Sequence, residues 1–242
     1  ACGDERGHDH HVDRPRERPR PDAGELELER DVLRSADLEG VAHADSLVVN
    51  PHKWLFTPLD ISAFYCRRFD VLRDLLQIPA DYLADADPAA AHNVRDTGIA
   101  LGRRFRALKL WMVMRYFGAT GLRSRIAGHL ELARTFAGWI DEDPQFERLA
   151  PVTLSVVCFR AVPAHASLAP IALDRLNKEL LRRVNTRGQV FLSSTRLHGC
   201  FALRLAIGHV RTSDVHIARA WDSIRASLQE LEHQPASSPE RS

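Results

Sequence analysis

The chain has 242 residues, enough for one large domain or two small ones. Its 33 Lys and Arg against 32 Asp and Glu leave a formal charge of +1, which gives no electrostatic reason to expect a nucleic acid or an acidic lipid surface as partner. Hydrophobic residues at 45% and charged residues at 27% are ordinary for a soluble globular protein, and no apolar run approaches a membrane span, so a cytoplasmic protein with no membrane partner is expected.

Residues 1–37 read as a tail. Before Leu26 the only large aliphatic residue is Val12, and such a stretch cannot bury enough apolar surface to offset its ordering entropy. His8, His10, His11 and Asp13 have metal-ligand chemistry, but no second ligand group is fixed nearby, and a solvated polar tail is the simpler reading. Residues 26–33 are charged and leucine-spaced and predict a short helix. From Ser46 the pattern becomes that of a folded α/β chain. Residues 47–50 and 61–66, apolar with β-branched and aromatic members, predict two strands around a turn. Residues 69–76 predict a helix. Residues 79–97 contain Pro88, several Asp and an Ala triplet, and read as a long irregular loop of the kind that forms lids or binding loops. Residues 104–117 predict a helix with Phe105, Leu108, Trp111, Met112 and Tyr116 on one side, an aromatic stripe read as core. Gly118 and Gly121 are expected to break it before a second helix over 122–140.

The remainder predicts a small α+β unit: a strand over 154–160, a helix over 173–187, strands over 189–193 and 200–207, and a closing helix over 213–231. That β-α-β-β-α order predicts an antiparallel sheet covered by helices. Residues 233–242, rich in Pro and Ser, read as a disordered tail. The cysteines at positions 2, 66, 158 and 200 show no metal or redox spacing, and Cys66 and Cys158 are expected to be reduced core residues.

The turn between the first two strands carries Asn50-Pro51-His52-Lys53-Trp54, directly after Leu47-Val48-Val49. A free lysine, with a pKa of about 10.4, is a poor nucleophile at neutral pH. Burial against apolar and aromatic neighbours would lower that pKa and make the amine competent for Schiff-base chemistry. Pro51 removes a backbone donor and pushes Asn50 into extended geometry, fixing where the lysine leaves the strand. The bland alternative is a surface lysine snorkelling beside a tryptophan.

Ala44-Asp45-Ser46, then Asn50 to Leu55, then Asp60-Ile61-Ser62-Ala63 together resemble the active-site segment of the pyridoxal-phosphate-dependent group II decarboxylases, in particular the aromatic-L-amino-acid decarboxylase branch. Leu101-Gly102-Arg103-Arg104-Phe105-Arg106-Ala107-Leu108-Lys109-Leu110-Trp111 is similar to that family's helix-opening signature. Asp143-Pro144-Gln145-Phe146-Glu147 and Val157-Cys158-Phe159-Arg160 also match, so the likeness covers about residues 38–228. Several motifs in the family's order make it specific. The resemblance implies an α/β chain: the C-terminal part of a fold-type I pyridoxal-phosphate-dependent transferase large domain, plus a small α+β C-terminal domain. The implied divisions are 1–37 disordered or non-homologous, 38–142 a partial large domain with the lysine and a mobile loop, 143–232 the small domain, and 233–242 a disordered tail.

The resemblance further implies pyridoxal 5'-phosphate as cofactor, with Lys53 its covalent Schiff-base residue. Asn50 and His52 match cofactor-pocket positions, Asn50 near the phosphate; an Asn before Pro also caps strands. Tyr82 matches the proton-donating tyrosine of a catalytic loop, against the alternative of packing that loop onto the core. Leu101, a substrate contact, and Gly102, a cofactor contact, match residues that reach the other subunit's pocket in a homodimer; Gly102 also suits a simple helix start. Leu59 matches a position lining the substrate side chain, consistent with an apolar or aromatic amino acid. His11-Val12-Asp13 is similar to the family's His-Val-Asp-Ala-Ala strand, but Arg14-Pro15-Arg16 follows and the interval to Lys53 is too long, so the pyridine-nitrogen role is not carried over. The family's ring-stacking histidine and most phosphate ligands have no recognisable match, which reads as a truncated or frame-shifted fragment. Two functions are therefore expected: decarboxylation of an L-amino acid through Lys53, or an inactive remnant that only dimerises with a full-length relative.

Overall fold

Two separate antiparallel sheets carry the β structure of the computed structural model, which describes residues 40–77, 94–100, 102–163 and 169–233. In the first, β1 (Ser46–Val49) pairs with β2 (Ala63–Cys66), Ser46 opposite Cys66 and Val49 opposite Ala63. Between them lies the one-turn helix α1 (Pro51–Trp54), whose proline sits at the first helical position, where its fixed φ is pre-organised and its missing N–H costs nothing. Helix α2 (Phe69–Leu76) follows, with Asp70 in its first turn and Arg73 in its last, both complementing the helix dipole. The predicted tails, the helix over 26–33 and most of the loop over 79–97 fall outside the described residues; Val94–Thr97 is a 3₁₀ turn.

Helix α3 (Ala107–Glu142) is one long element kinked at Gly118, which takes φ 66° and ψ 175°. The sequence expectation of two breaks is half right. Gly118 leaves helical geometry in a region open to a residue without Cβ, whereas Gly121 stays helical.

The second sheet has the order β3-β4-β6-β5, built from β3 (Phe146–Arg148), β4 (Val156–Ala161), β5 (Ser193–Leu197) and β6 (Cys200–Ala206), every pair antiparallel. Helices α4 (Pro170–Thr186) and α5 (Asp214–His233) pack with it. The expected β-α-β-β-α order holds, with two corrections. Strand β3 was not foreseen, because three residues are too few to show an alternation. The strand expected over 189–193 starts only at Ser193. Its predecessor, Leu192, is held by Asn185 at the end of α4: the Asn185 amide accepts the Leu192 N–H at 2.8 Å and donates to its carbonyl at 2.9 Å. With both polar groups taken, Leu192 cannot enter the ladder, and pairing begins with Ser193 opposite Arg204. His198 and Gly199, both at positive φ, form the two-residue turn that joins β5 to β6.

The core lies between this sheet and the three long helices. Alternate residues of β4 (Val157, Phe159, Ala161) face inward against Phe136 and Ile140 of α3, Leu180 and Val184 of α4, and Ile224 and Leu228 of α5. Phe136 meets Trp139, Phe159 and Trp221 edge-on, with ring centroids 5.6–6.1 Å apart. Each such buried side chain contributes about 1.5–3 kcal/mol. One polar residue is fully buried among them. Asn177 on α4 accepts the Ala161 N–H at 2.7 Å and donates to the carbonyls of Ala161 (2.9 Å) and Leu173 (3.0 Å), where β4 has run past its pairing with β6.

The aromatic stripe read as core is not core. Phe105, Leu108, Trp111, Met112 and Tyr116 are all exposed, Trp111 by 57% and Tyr116 by 83%. Leu47, Val48, Phe64 and Tyr65 of the β1–β2 pair are exposed as well. A helical period reports that one face is apolar; it does not report what covers that face. Cys66 and Cys158 are free and half-buried rather than fully core, and burial pushes the Cys158 thiol upward, away from thiolate reactivity.

The Asn177 bridge gives a test. Asn177→Leu keeps the volume but leaves the main-chain groups of Ala161 without partners, and should lower unfolding free energy by about 2–5 kcal/mol. Urea denaturation followed by circular dichroism measures this; a loss under about 0.5 kcal/mol would mean the bridge does not hold α4 to the sheet.

Candidate active site at the Lys53 turn

The lysine turn closes on Pro51. The Leu55 and Thr57 N–H groups both donate to the Pro51 carbonyl at 3.2 Å, and the Lys53 N–H donates to the Asn50 carbonyl at 2.9 Å. Pro51 and Thr57 are buried, so the base of the turn is fixed. The side chains flanking Lys53 are tied across to the segment that leads into β2. Ser62 Oγ donates to the Asn50 amide oxygen. His52 Nδ1 contacts the Ile61 carbonyl, with the Ile61 N–H 3.3 Å from the same nitrogen, which leaves only Nε2 of that ring for a ligand. Asn50, His52 and Lys53 are thus brought together on one short, braced turn.

Lys53 itself is exposed, and among the described residues it forms no ion pair. This corrects the expectation of an amine buried beside its tryptophan. The indole turns away and donates from Nε1 to His129 Nδ1 on α3 at 3.0 Å. Trp54 therefore anchors the turn rather than covering the amine. Phe56, at φ 54°, takes a left-handed conformation that costs a non-glycine residue about 1–2 kcal/mol. Its ring is held edge-on by Phe117 (6.0 Å) and by His129 (5.6 Å).

His129 is 3% exposed. Burial holds its imidazole below the ordinary histidine range, with partial offset from a hydrogen bond to the His209 main chain. Lysine-turn and sheet-side loops also touch through the backbone: a Cβ on Gly208 would stand 3.7 Å from the Lys53 carbonyl oxygen. A further strut lies in the loop before β2. Asp60 accepts from Arg106 Nε and Nη2 at 3.0 and 2.9 Å and sits 3.8 Å from Lys109 Nζ, tying that loop to the start of α3. The Arg106 hydrogen bonds hold the Asp60 carboxyl below the usual carboxylate range.

Leu59, in that same loop, is 79% exposed, an apolar side chain presented to solvent near the turn. Gly102 is open, with nothing within 4 Å of where a Cβ would stand. Leu101 and Tyr82 lie outside the described residues. Sequence reasoning missed His129, Gly208 and the Asp60–Arg106 pair. A signal for His129 existed: it falls in the buried series His129, Ala133, Phe136, Ala137, Ile140, a histidine on the apolar face of its helix.

Comparison with known proteins follows the same geometry. The family profile described as the pyridoxal-dependent decarboxylase conserved domain matches residues 23–162, starting ahead of the motifs at the lysine turn. Tryptophan decarboxylase TDC2 of Camptotheca acuminata is 38% identical over 197 residues, which is 80% of this chain and 39% of that protein. Aromatic-L-amino-acid decarboxylase of Sus scrofa is 37% identical over 196 residues, 80% of this chain and 38% of the relative. The crystal structure of Oryza sativa TDC with PLP and tryptamine superposes with a TM-score of 0.76 at 34% identity, covering 80% of this chain and 40% of that one. The chain thus spans about two fifths of the length of the relatives it matches. The mixed helix-and-sheet fold is that of the C-terminal part of such decarboxylases, as the motifs implied. With more than half its length matched to the family profile, this chain belongs to the pyridoxal-dependent decarboxylase family.

Proposed function

We propose that this chain carries the lysine-bearing part of the active site of a pyridoxal 5'-phosphate-dependent carboxy-lyase that decarboxylates an L-amino acid with an aromatic side chain. The observation that carries the reading is the braced turn that presents the Lys53 amine exposed, with no ion pair among the described residues, next to Asn50 and His52 and with an exposed Leu59 in the loop that follows. These residues fit the cofactor: a primary amine for its aldehyde, an amide and an imidazole beside it. When bound, the cofactor supplies an electron sink for the carbanion left by departing carbon dioxide. Lys53 Nζ would hold it covalently through its aldehyde. Asn50, toward the phosphate, and His52 would help hold it in the pocket. Leu59 packs on the substrate side chain, and the aromatic substrates in the names of the relatives support that class. Tyr82 would donate its phenolic proton to the substrate carbon, a tyrosine phenol being protonated at neutral pH.

The active form is a homodimer in the cytoplasm. Support comes from the exposed apolar face of α3, which a second copy would cover, with Leu101 and Gly102 just ahead of it reaching the partner's pocket for substrate and cofactor. No described helix is long and apolar enough to cross a membrane.

Borohydride reduction of the chain incubated with pyridoxal 5'-phosphate should fix the cofactor to Lys53, and Lys53→Ala should reduce labelling by roughly tenfold or more. Peptide mapping that places the adduct on another lysine overturns the assignment and leaves the inactive-remnant reading standing. Tyr82→Phe should retain Lys53 labelling while lowering amine formation by on the order of a hundredfold, with diversion toward aldehyde; unchanged amine turnover would remove Tyr82 from the mechanism. Trp111→Glu should lower the mass measured by light scattering from dimer to monomer, because a charge in a dry interface is strongly disfavoured. A mass unaffected by the substitution places the interface elsewhere.

A further inference from the structure

The hairpin that carries Lys53 is weak support by itself. Its strands have four residues each, their apolar side chains are exposed, and an isolated two-stranded hairpin is marginal in water. What orients the turn must come from outside it. His129 contacts both Trp54 and Phe56, the residues one and three positions after Lys53. It is buried and seven residues before Phe136 on the same face of α3, so its position is set by the core. Accepting the indole N–H at Nδ1 requires the lone pair there, so the ring is the neutral tautomer with its proton on Nε2. Phe56 takes a left-handed conformation with its ring edge-on against His129 and Phe117.

We propose that His129 is a positioning residue for Lys53: by accepting the Trp54 indole N–H and packing on Phe56, it locks the one-turn helix α1 to α3 and sets the direction in which the amine leaves the turn. The proposal rests on Lys53 being the attachment residue. The ordinary alternative is a histidine that merely fills the core, and the two differ in what the polar contact does. His129→Asn keeps an acceptor where Nδ1 stands; His129→Leu keeps the bulk and removes it.

The test uses the full chain labelled with ¹⁵N-tryptophan, the Trp54 indole signal being assigned by its loss in Trp54→Phe. In the wild type and in His129→Asn this N–H should be slow to exchange with solvent; in His129→Leu its exchange should accelerate roughly tenfold or more. The second readout is the site preference of borohydride-trapped pyridoxal 5'-phosphate, for which Lys109 and Lys178, the only other lysines, serve as internal controls. The Lys53-to-Lys178 labelling ratio should fall about tenfold in His129→Leu, recover in His129→Asn, and fall equally in Trp54→Phe, which removes the donor without touching the buried site, with no further loss in the double variant. Indole exchange that ignores His129→Leu overturns the proposal. So does a labelling ratio unchanged in both His129→Leu and Trp54→Phe, which would leave His129 a packing residue. A wild type that shows no preference for Lys53, with the indole behaving as expected, overturns the attachment reading and the positioning role with it, while the Trp54–His129 bond itself stands.

Discussion

The burial of Phe136 is the constraint on which the rest of the molecule depends. Its ring has no exposed surface and meets aromatic partners from β4 and α5 as well as from its own helix. Removing such a side chain from a core typically costs about 3–5 kcal/mol, so the face of α3 that carries it cannot rotate. Fixing that face fixes His129 two turns earlier, and His129 in turn receives Trp54 and Phe56. In the positioning role proposed for His129, the location of the Lys53 amine is inherited from a hydrophobic core two turns further along the same face of that helix.

The two parts of the chain satisfy their surfaces differently. Around the four-stranded sheet, two asparagines pair buried main-chain groups: Asn177 takes both main-chain groups of Ala161, and Asn185 takes both of Leu192. Ion pairs join α4 and α5, with Arg183 of α4 and Arg187 just beyond its end reaching Glu230 of α5. Around the lysine turn the side chains of Asn50, His52 and Trp54 are paired too, but the apolar surface is not covered. Val48, Phe64 and Tyr65 on the hairpin and Trp111 and Met112 on α3 face outward. That asymmetry is what the proposed dimer would require, since one side of a site shared between subunits must stay open to receive the other.

Position and reactivity of Lys53 are also separable. The hydrogen bonds of Asn50 and His52, the Pro51 carbonyl and the Trp54 anchor determine where the amine stands. An exposed amine is still a solvated one, and desolvation by covering groups is what would make it a better nucleophile. The described residues supply the first of these and not the second. In the proposed dimer the partner's contribution at the pocket supplies cover as well as contacts.

The sequence by itself determined the strands on either side of Lys53, the helices over 69–76 and the long apolar run after Arg106, the antiparallel sheet implied by the β-α-β-β-α order, and the family, through motifs spread from Ala44 to Arg160. These are properties of local pattern: alternation, helical period, and residue types at fixed spacing. Tertiary structure alone decided the rest. Asn185 delayed β5 to Ser193, a contact across seven residues that no strand pattern encodes. The stripe from Phe105 to Tyr116 reads identically in the sequence whether it is core or surface, and only the three-dimensional packing shows it exposed. Trp54, which the motif places beside the amine, is drawn 75 positions along the chain to His129 because a buried imidazole nitrogen there needs a donor. Local sequence states which groups need partners; the fold chooses them.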